Sequence, residues 1–90
     1  MFIDASALTA IITDEVDAFD LAARMHASRA RLTSPLAISE TTLAVTRILR
    51  LPISEAAVAV ERFLATADIR VVAIDPAVRH AAIDAHERFG

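Results

Sequence analysis

The order of apolar and polar residues along the chain predicts short strands separated by helices. The apolar run 1–3 ends at Asp4, and the run 69–74 is continuously apolar and β-branched, which is typical of a strand buried on both faces. Ser34-Pro35 predicts a helix start, with serine as the N-cap and proline in the first turn. The predicted strands are 1–3, 31–34 and 69–74, and the predicted helices are 5–12, 14–29, 34–49, a segment capped by Ser54-Glu55, and 75–88.

This order of elements predicts an α/β fold. Strands joined by helical crossovers form a parallel sheet with helices packed on it. We therefore expect a parallel sheet of about three strands, flanked by about five helices, in a single domain. In the helix predicted over 14–29, the apolar positions include Val16, Phe19 and Met25. No apolar stretch is long enough to span a membrane.

Composition excludes several chemistries. The chain has no cysteine, so a zinc ribbon and a thiol nucleophile are ruled out. Its one glycine is Gly90 and all nine of its basic residues are arginine, which rules out a Walker-type phosphate loop and a dinucleotide fingerprint. Because the formal net charge is −3, a polyanion would have to be bound by a local patch or by a bound metal. The N-terminus lacks the basic region of a signal peptide, and the absence of cysteine fits the cytosol.

Two acidic residues lie where parallel α/β sheets bind ligands, beyond the carboxyl ends of the strands. Asp4 ends the first predicted strand, and Glu40 lies on the helix after the second. A carboxylate inside a sheet is costly unless it is hydrogen-bonded, paired or bound to metal. One alternative is that Asp4 caps the helix 5–12 through the backbone N–H of Ser6 or Ala7.

Glu40 has alternatives of the same kind. Its neighbours on the helix surface, three and four residues away, are largely apolar, so no polar stripe accounts for it. An ion pair with Arg47, or a frayed first turn that faces solvent, would each explain it without a function. Like charges brought close together repel unless a cation separates them, and ligation by oxygen alone suits Mg²⁺ or Mn²⁺.

Other reaction classes do not fit these residues. A phosphoaspartyl phosphatase needs a second aspartate two residues after Asp4, where Ser6 stands, and a phosphoacceptor receiver domain needs a lysine. A serine hydrolase needs glycines around its nucleophile. The three histidines, His26, His80 and His86, lack the spacing of a helical zinc site.

Three segments resemble one known family. The sequence FIDASAL (2–8) resembles the opening of PIN-domain ribonucleases, especially the toxins of bacterial VapBC-type toxin–antitoxin pairs. TSPLAISE (33–40) resembles their second motif, in which a strand leads into a helix that carries a glutamate. IRVVAIDPAVRHAA (69–82) looks like their next strand and the alanine-rich helix after it. The segments occur in the family's order and spacing.

The resemblance implies a fold and an activity. It implies a three-layer α/β/α domain in which Asp4 and Glu40 are metal ligands and catalytic acids, with Ser6 as a polar neighbour in contact with substrate. The family hydrolyses RNA phosphodiester bonds with Mg²⁺ or Mn²⁺. The implied partners are RNA, an antitoxin protein and a second copy of the chain, in the bacterial cytoplasm. Arginines that could add phosphate contacts are Arg24, Arg29, Arg31, Arg47 and Arg50. The alternative, which the sequence favours, is that they only form a solvated helix face.

One part of the family pattern lies outside this sequence. The family's remaining acids follow the segment that resembles 69–88, usually after a Gly-Asp pair. The expectation is therefore that residues 1–90 are the N-terminal part of a single PIN-like domain, weakly active or inactive alone. Its first strand would then keep an open edge for the missing segment, a second copy or an antitoxin peptide. The alternative function is a non-catalytic α/β interaction module, in which Asp4 only caps a helix.

Overall fold

A computed structural model describes residues 1–73 of the chain. Its elements alternate as predicted, so the chain has an α/β fold. They are α1 (Ala5–Ile12), α2 (Ala18–Ala27), β1 (Leu32–Thr33), α3 (Pro35–Leu49), α4 (Ile53–Thr66) and β2 (Arg70–Val71). The helix predicted over 75–88 lies outside the described residues. None of the helices in residues 1–73 combines the length and apolar character needed to cross a membrane.

The sheet is parallel and places β1 at its centre. On one side β1 pairs with β2, with Leu32 beside Arg70. On the other side, Phe2 forms an isolated parallel bridge with Leu32. In that bridge Leu32 N–H donates to the Met1 carbonyl at 2.8 Å, and Ile3 N–H donates to the Leu32 carbonyl at 2.7 Å. The segment 1–3 therefore occupies the position of a first strand, as the apolar pattern predicts.

In the part of the chain that the structure describes, the first strand has one edge without a neighbouring strand. Its bonds to β1 use the backbone groups of Met1 and Ile3, which leaves the backbone groups of Phe2 directed away from β1. Within residues 1–73, neither the N–H nor the carbonyl of Phe2 has a hydrogen-bond partner. Unpaired strand edges of this kind are templates for pairing with another segment.

The first two helices are separated by a left-handed residue. Asp14 has φ 56°, and the next residue, Glu15, donates its N–H to the Ala10 carbonyl at 2.9 Å. This pattern closes the C-terminus of a helix. Asp14 therefore ends α1, and α2 begins only at Ala18. The predicted start of this helix at residue 14 is wrong, because an aspartate favours both the N-cap and the left-handed position.

The third helix has the predicted boundaries. Ser34 Oγ accepts a hydrogen bond from Ala37 N–H at 3.1 Å, and Pro35 occupies the first turn. The helix ends after Leu49, where Arg50 adopts a left-handed conformation with φ 53°. Local signals fix both ends: a serine cap with proline at the start, and a following Leu-Pro pair at the end.

The start of α4 differs from the prediction by two residues. Ser54-Glu55 were predicted as its cap, but the helix begins at Ile53 with Pro52 as the N-cap. The Pro52 carbonyl accepts the N–H groups of Glu55 and Ala56, each at 3.0 Å. Proline has a φ near −65°, so it can precede the helix without a side-chain cap.

The core lies between α1, α3 and α4. The α1–α3 and α3–α4 pairs pack against each other, and α2 packs on α1. The buried apolar side chains form one cluster with Leu8, Val45 and Val60 fully enclosed. Its other buried members are Ile3, Met25, Ala56, Leu64, Ala67 and Ile69.

Some apolar positions of the sequence are exposed in the structure. Val16 and Phe19, two apolar positions of the helix predicted over 14–29, are 106% and 84% exposed, and α2 begins only after Val16. The segment 69–74 was predicted as a strand buried on both faces. Among the described residues 69–73 of this segment, only Ile69 is buried, and Val71, in the two-residue strand β2, is 46% exposed.

Arg31 joins the ends of two helices. Its Nε donates to the Ala67 carbonyl at 2.7 Å, at the C-terminus of α4. Its Nη1 donates to the Ser28 carbonyl at 2.9 Å, at the C-terminus of α2. A positive charge at helix C-termini is stabilising, and the carbonyls there lack partners within their own helices.

Candidate functional site

The candidate site lies at the edge of the sheet where the first strand and β1 end. Because these strands are parallel, the helices that follow them begin at the same edge. Asp4 caps α1 and Ser34 caps α3, and each accepts a hydrogen bond from the backbone N–H three residues later. The starts of α1 and α3 therefore lie close to each other, and the two helices pack together.

Asp4 is half-buried and caps α1. Its Oδ1 accepts a hydrogen bond from Ala7 N–H at 2.9 Å, so the capping interaction weighed above is present. The cap and metal ligation do not exclude each other, because an ionised carboxylate has two oxygens with about four lone-pair sites in all. The hydrogen bond to Ala7 orients the carboxyl group at the end of the strand.

Glu40 lies on the second turn of α3 and is exposed. It is about 9 Å along the helix axis from the Ser34 cap, at a rise of 1.5 Å per residue. The apolar neighbours that made it unusual in the sequence, Leu36 and Leu43, are themselves 60% and 54% exposed. Glu40 is therefore on an open face rather than among core side chains. Within residues 1–73 no ion pair joins it to Arg47.

Ser6 lies in the first turn of α1, two residues after Asp4, and is exposed. Its hydroxyl is therefore accessible from solvent at the same edge of the sheet.

The predicted arginines divide into two groups. Arg31 is half-buried and its guanidinium donates to backbone carbonyls, which gives it a structural role in addition to the phosphate contact suggested for it. The sequence could not reveal this role, because the carbonyls come from helix ends 3 and 36 residues away. The other four candidates, Arg24, Arg29, Arg47 and Arg50, are exposed.

Thr33 is a residue of this edge that the sequence did not single out. It is the last residue of β1 and is fully buried. Its hydroxyl donates to the carbonyl of Ile3, the residue before Asp4, at 2.8 Å. The sequence hints at this role only by placing a residue with a hydroxyl group between the predicted strand and the N-cap of the next helix.

The acids of the site are few in the described part of the chain. In residues 1–73 no three acidic or histidine side chains come together as a metal-binding group. In that part of the chain, Asp4 and Glu40, the acids suggested by the sequence, are not joined by a third such side chain, and both offer the oxygen donors that hard divalent cations prefer.

The described chain is an α/β protein, with Asp4 directly after its first strand and Glu40 on the helix after β1. The profile of the PIN domain matches residues 1–90, so the chain belongs to the PIN domain family. Members of this family are generally nucleases, and they typically use divalent metal ions. A search of curated proteins found no match to the chain.

Proposed function

We propose that this chain belongs to a metal-dependent endoribonuclease, the toxin of a type II toxin–antitoxin pair, and that Asp4 and Glu40 are its metal ligands. The family match over residues 1–90 carries the nuclease assignment. The position of Asp4, at the end of the first strand and beside the start of α3, supports the proposed site. The resemblance of segments 2–8 and 33–40 to VapBC-type toxins supports the toxin assignment.

The residues of the chain have separate tasks in this proposal. When bound, Mg²⁺ or Mn²⁺ supplies Lewis acidity toward water and phosphate oxygen. Asp4 holds the cation with a carboxyl group that Ala7 N–H orients. Glu40 provides a second anionic oxygen ligand from an exposed position, and the Ser6 hydroxyl contacts the RNA backbone. RNA reaches these side chains from solvent because Ser6 and Glu40 are exposed.

In this proposal, exposed arginines attract the RNA phosphates, because the net charge of the chain does not. With a formal net charge of −3, the chain as a whole repels RNA. Arg47 lies on the same helix as Glu40 and Arg50 directly follows that helix; both are exposed and can pair with phosphates. The further partners in the proposal are a cognate antitoxin and a second copy of the chain, in the bacterial cytoplasm.

Cleavage of RNA by residues 1–90 tests the proposed activity. Because two carboxylates bind a hard cation weakly, we expect slow cleavage in the presence of Mn²⁺ and none with a chelator. Asp4→Asn should abolish this cleavage. Glu55→Gln is the matched control, because Glu55 is an exposed acid in the first turn of α4, and it should leave the rate unchanged. Cleavage that Asp4→Asn does not affect would overturn the site.

The alternative is a non-catalytic interaction module. The capping hydrogen bond of Asp4 favours it, because that bond alone accounts for an acid at this position. In this case the chain would bind no Mn²⁺, and Asp4→Asn would change nothing, since asparagine caps helices about as well as aspartate.

A further inference from the structure

Thr33 occupies a special position in the sheet. In a regular parallel ladder the hydrogen bonds continue at even spacing along the two strands. The ladder between the first strand and β1 stops after the Phe2–Leu32 bridge, because both strands turn into helices there. The next acceptor along the first strand is the Ile3 carbonyl, and the buried Thr33 hydroxyl donates to it at 2.8 Å. A side chain thus continues the ladder by one bond.

This bond joins the residues that precede two helix caps. Ile3 comes directly before Asp4, and Thr33 comes directly before Ser34. On its other side, Thr33 accepts a hydrogen bond through its carbonyl from Val72 N–H at 2.9 Å. One residue therefore connects three strand ends at the edge where α1 and α3 begin.

We propose that Thr33 is a positioning residue, whose hydroxyl sets the place of Asp4 relative to the helix that carries Glu40. The expected effect of Thr33 on metal affinity rests on the proposed function. The expected effect of Thr33 on the position of Asp4 does not, because it concerns the metal-free chain. Without the hydroxyl, the Ile3 carbonyl would be buried without that donor, and the first strand would shift or tilt to recover a partner.

Mn²⁺ affinity tests the consequence for the site. Partners that orient metal ligands typically change metal affinity roughly 10- to 100-fold when removed, so Thr33→Val should weaken Mn²⁺ binding roughly 10-fold in calorimetric titration. Thr41→Val is the matched control. Thr41 is also fully buried, but its hydroxyl bonds the Ala37 carbonyl within its own helix at 2.7 Å. Its Mn²⁺ affinity should stay within about two-fold of the wild type, since the bond it loses is local.

A second pair of variants keeps the test independent of folding defects. Thr33→Ser and Thr33→Ala lose the same methyl group and differ only in the hydroxyl. The serine variant should bind Mn²⁺ like the wild type and the alanine variant like Thr33→Val. Equal affinity for the two would overturn the positioning role.

Hydrogen exchange separates this inference from the proposed function. In the metal-free protein, Thr33→Ala should speed exchange of the Ala7 amide, which is bonded to Asp4, more than Thr33→Ser does. If this difference appears but Asp4→Asn leaves Mn²⁺ binding unchanged, the positioning of Asp4 stands and the metal site is wrong. If Asp4→Asn removes Mn²⁺ binding while all Thr33 variants keep it, the site stands and the positioning role is wrong.

Discussion

At the scale of single residues, hydrogen bonds of a few side chains fix the geometry of the sheet edge. Asp4 caps α1 and Thr33 holds the carbonyl before it. Arg31 donates hydrogen bonds to the C-terminal ends of α2 and α4, and nothing in the sequence distinguishes it from the other arginines. Its bonds to three backbone carbonyls replace contacts that water would otherwise provide.

Removal of the Arg31 guanidinium should therefore destabilise the fold. Hydrogen bonds that involve a charged group contribute about 1.5–3 kcal/mol, so Arg31→Met should lower the free energy of unfolding by about 2 kcal/mol. The methionine keeps the apolar stem. Arg29→Met, at an exposed neighbouring position, should change stability by no more than about 0.5 kcal/mol. Urea unfolding measures both, and equal stability of the two variants would show that Arg31 has no structural role.

At the scale of elements, helix ends are built without glycine. The only glycine in the chain is Gly90. The positive-φ residues in the described part of the chain are Asp14, Arg50 and Asp68, with φ of 53–56°. Aspartate tolerates this conformation through local hydrogen bonds, but arginine gains nothing from it. The C-terminus of α3 is therefore strained at Arg50.

Glycine at position 50 should relieve this strain. A left-handed residue other than glycine costs about 1–2 kcal/mol, so Arg50→Gly should raise the free energy of unfolding by up to about 1 kcal/mol after the lost chain entropy of glycine. Arg47→Gly changes the same residue types inside the last turn of α3. It should lower stability by roughly 0.5–1 kcal/mol, because glycine is unfavourable within a helix. Thermal or urea unfolding measures both variants. A change in the free energy of unfolding with the same sign in both would contradict the proposed strain at Arg50.

How far the sequence predicts each element depends on how local its signals are. The bounds of α3 could be predicted because Ser34-Pro35 and Leu51-Pro52 act on neighbouring backbone groups. The start of α2 could not, because Asp14 serves two kinds of helix end equally well. The exposure of Val71 could not be predicted either, since it depends on which of the helices in residues 1–73 cover β2.

The candidate site also has features that could be predicted from the sequence and features that could not. The placement of Asp4 and Glu40 after parallel strands could be predicted, because the rule that strand ends share an edge needs only the order of elements. The cap on Asp4 was one of the alternatives from the sequence. The role of Thr33 could not be predicted, because its partner lies 30 residues away and depends on strand register.

At the scale of the whole molecule, the apolar first strand has one edge that no segment within residues 1–73 pairs with. Phe2 has no backbone hydrogen-bond partner within residues 1–73 and its side chain is half-buried. Met1, next to it, is 49% exposed. Such an edge favours association, because pairing it satisfies backbone groups and covers apolar side chains together.

Purified residues 1–90 should therefore self-associate at micromolar concentration. Sedimentation velocity should detect a species larger than the monomer. Phe2→Lys should shift it toward the monomer, because a charge on the edge opposes pairing. Val16→Lys is the control, since Val16 is fully exposed and lies outside the sheet. A wild-type chain that unfolds cooperatively and remains monomeric would contradict the account of this edge.

The metal site at Asp4 is the central claim, and calorimetric titration with Mn²⁺ tests it most directly. Asp4→Asn removes the charge of the carboxyl group but keeps a good helix cap, so the fold should be preserved. We predict a weak Mn²⁺ site in the wild type that disappears in Asp4→Asn and weakens in Glu40→Gln. Mn²⁺ binding of equal strength in the wild type and in a folded Asp4→Asn variant, or no binding to either, would contradict the account.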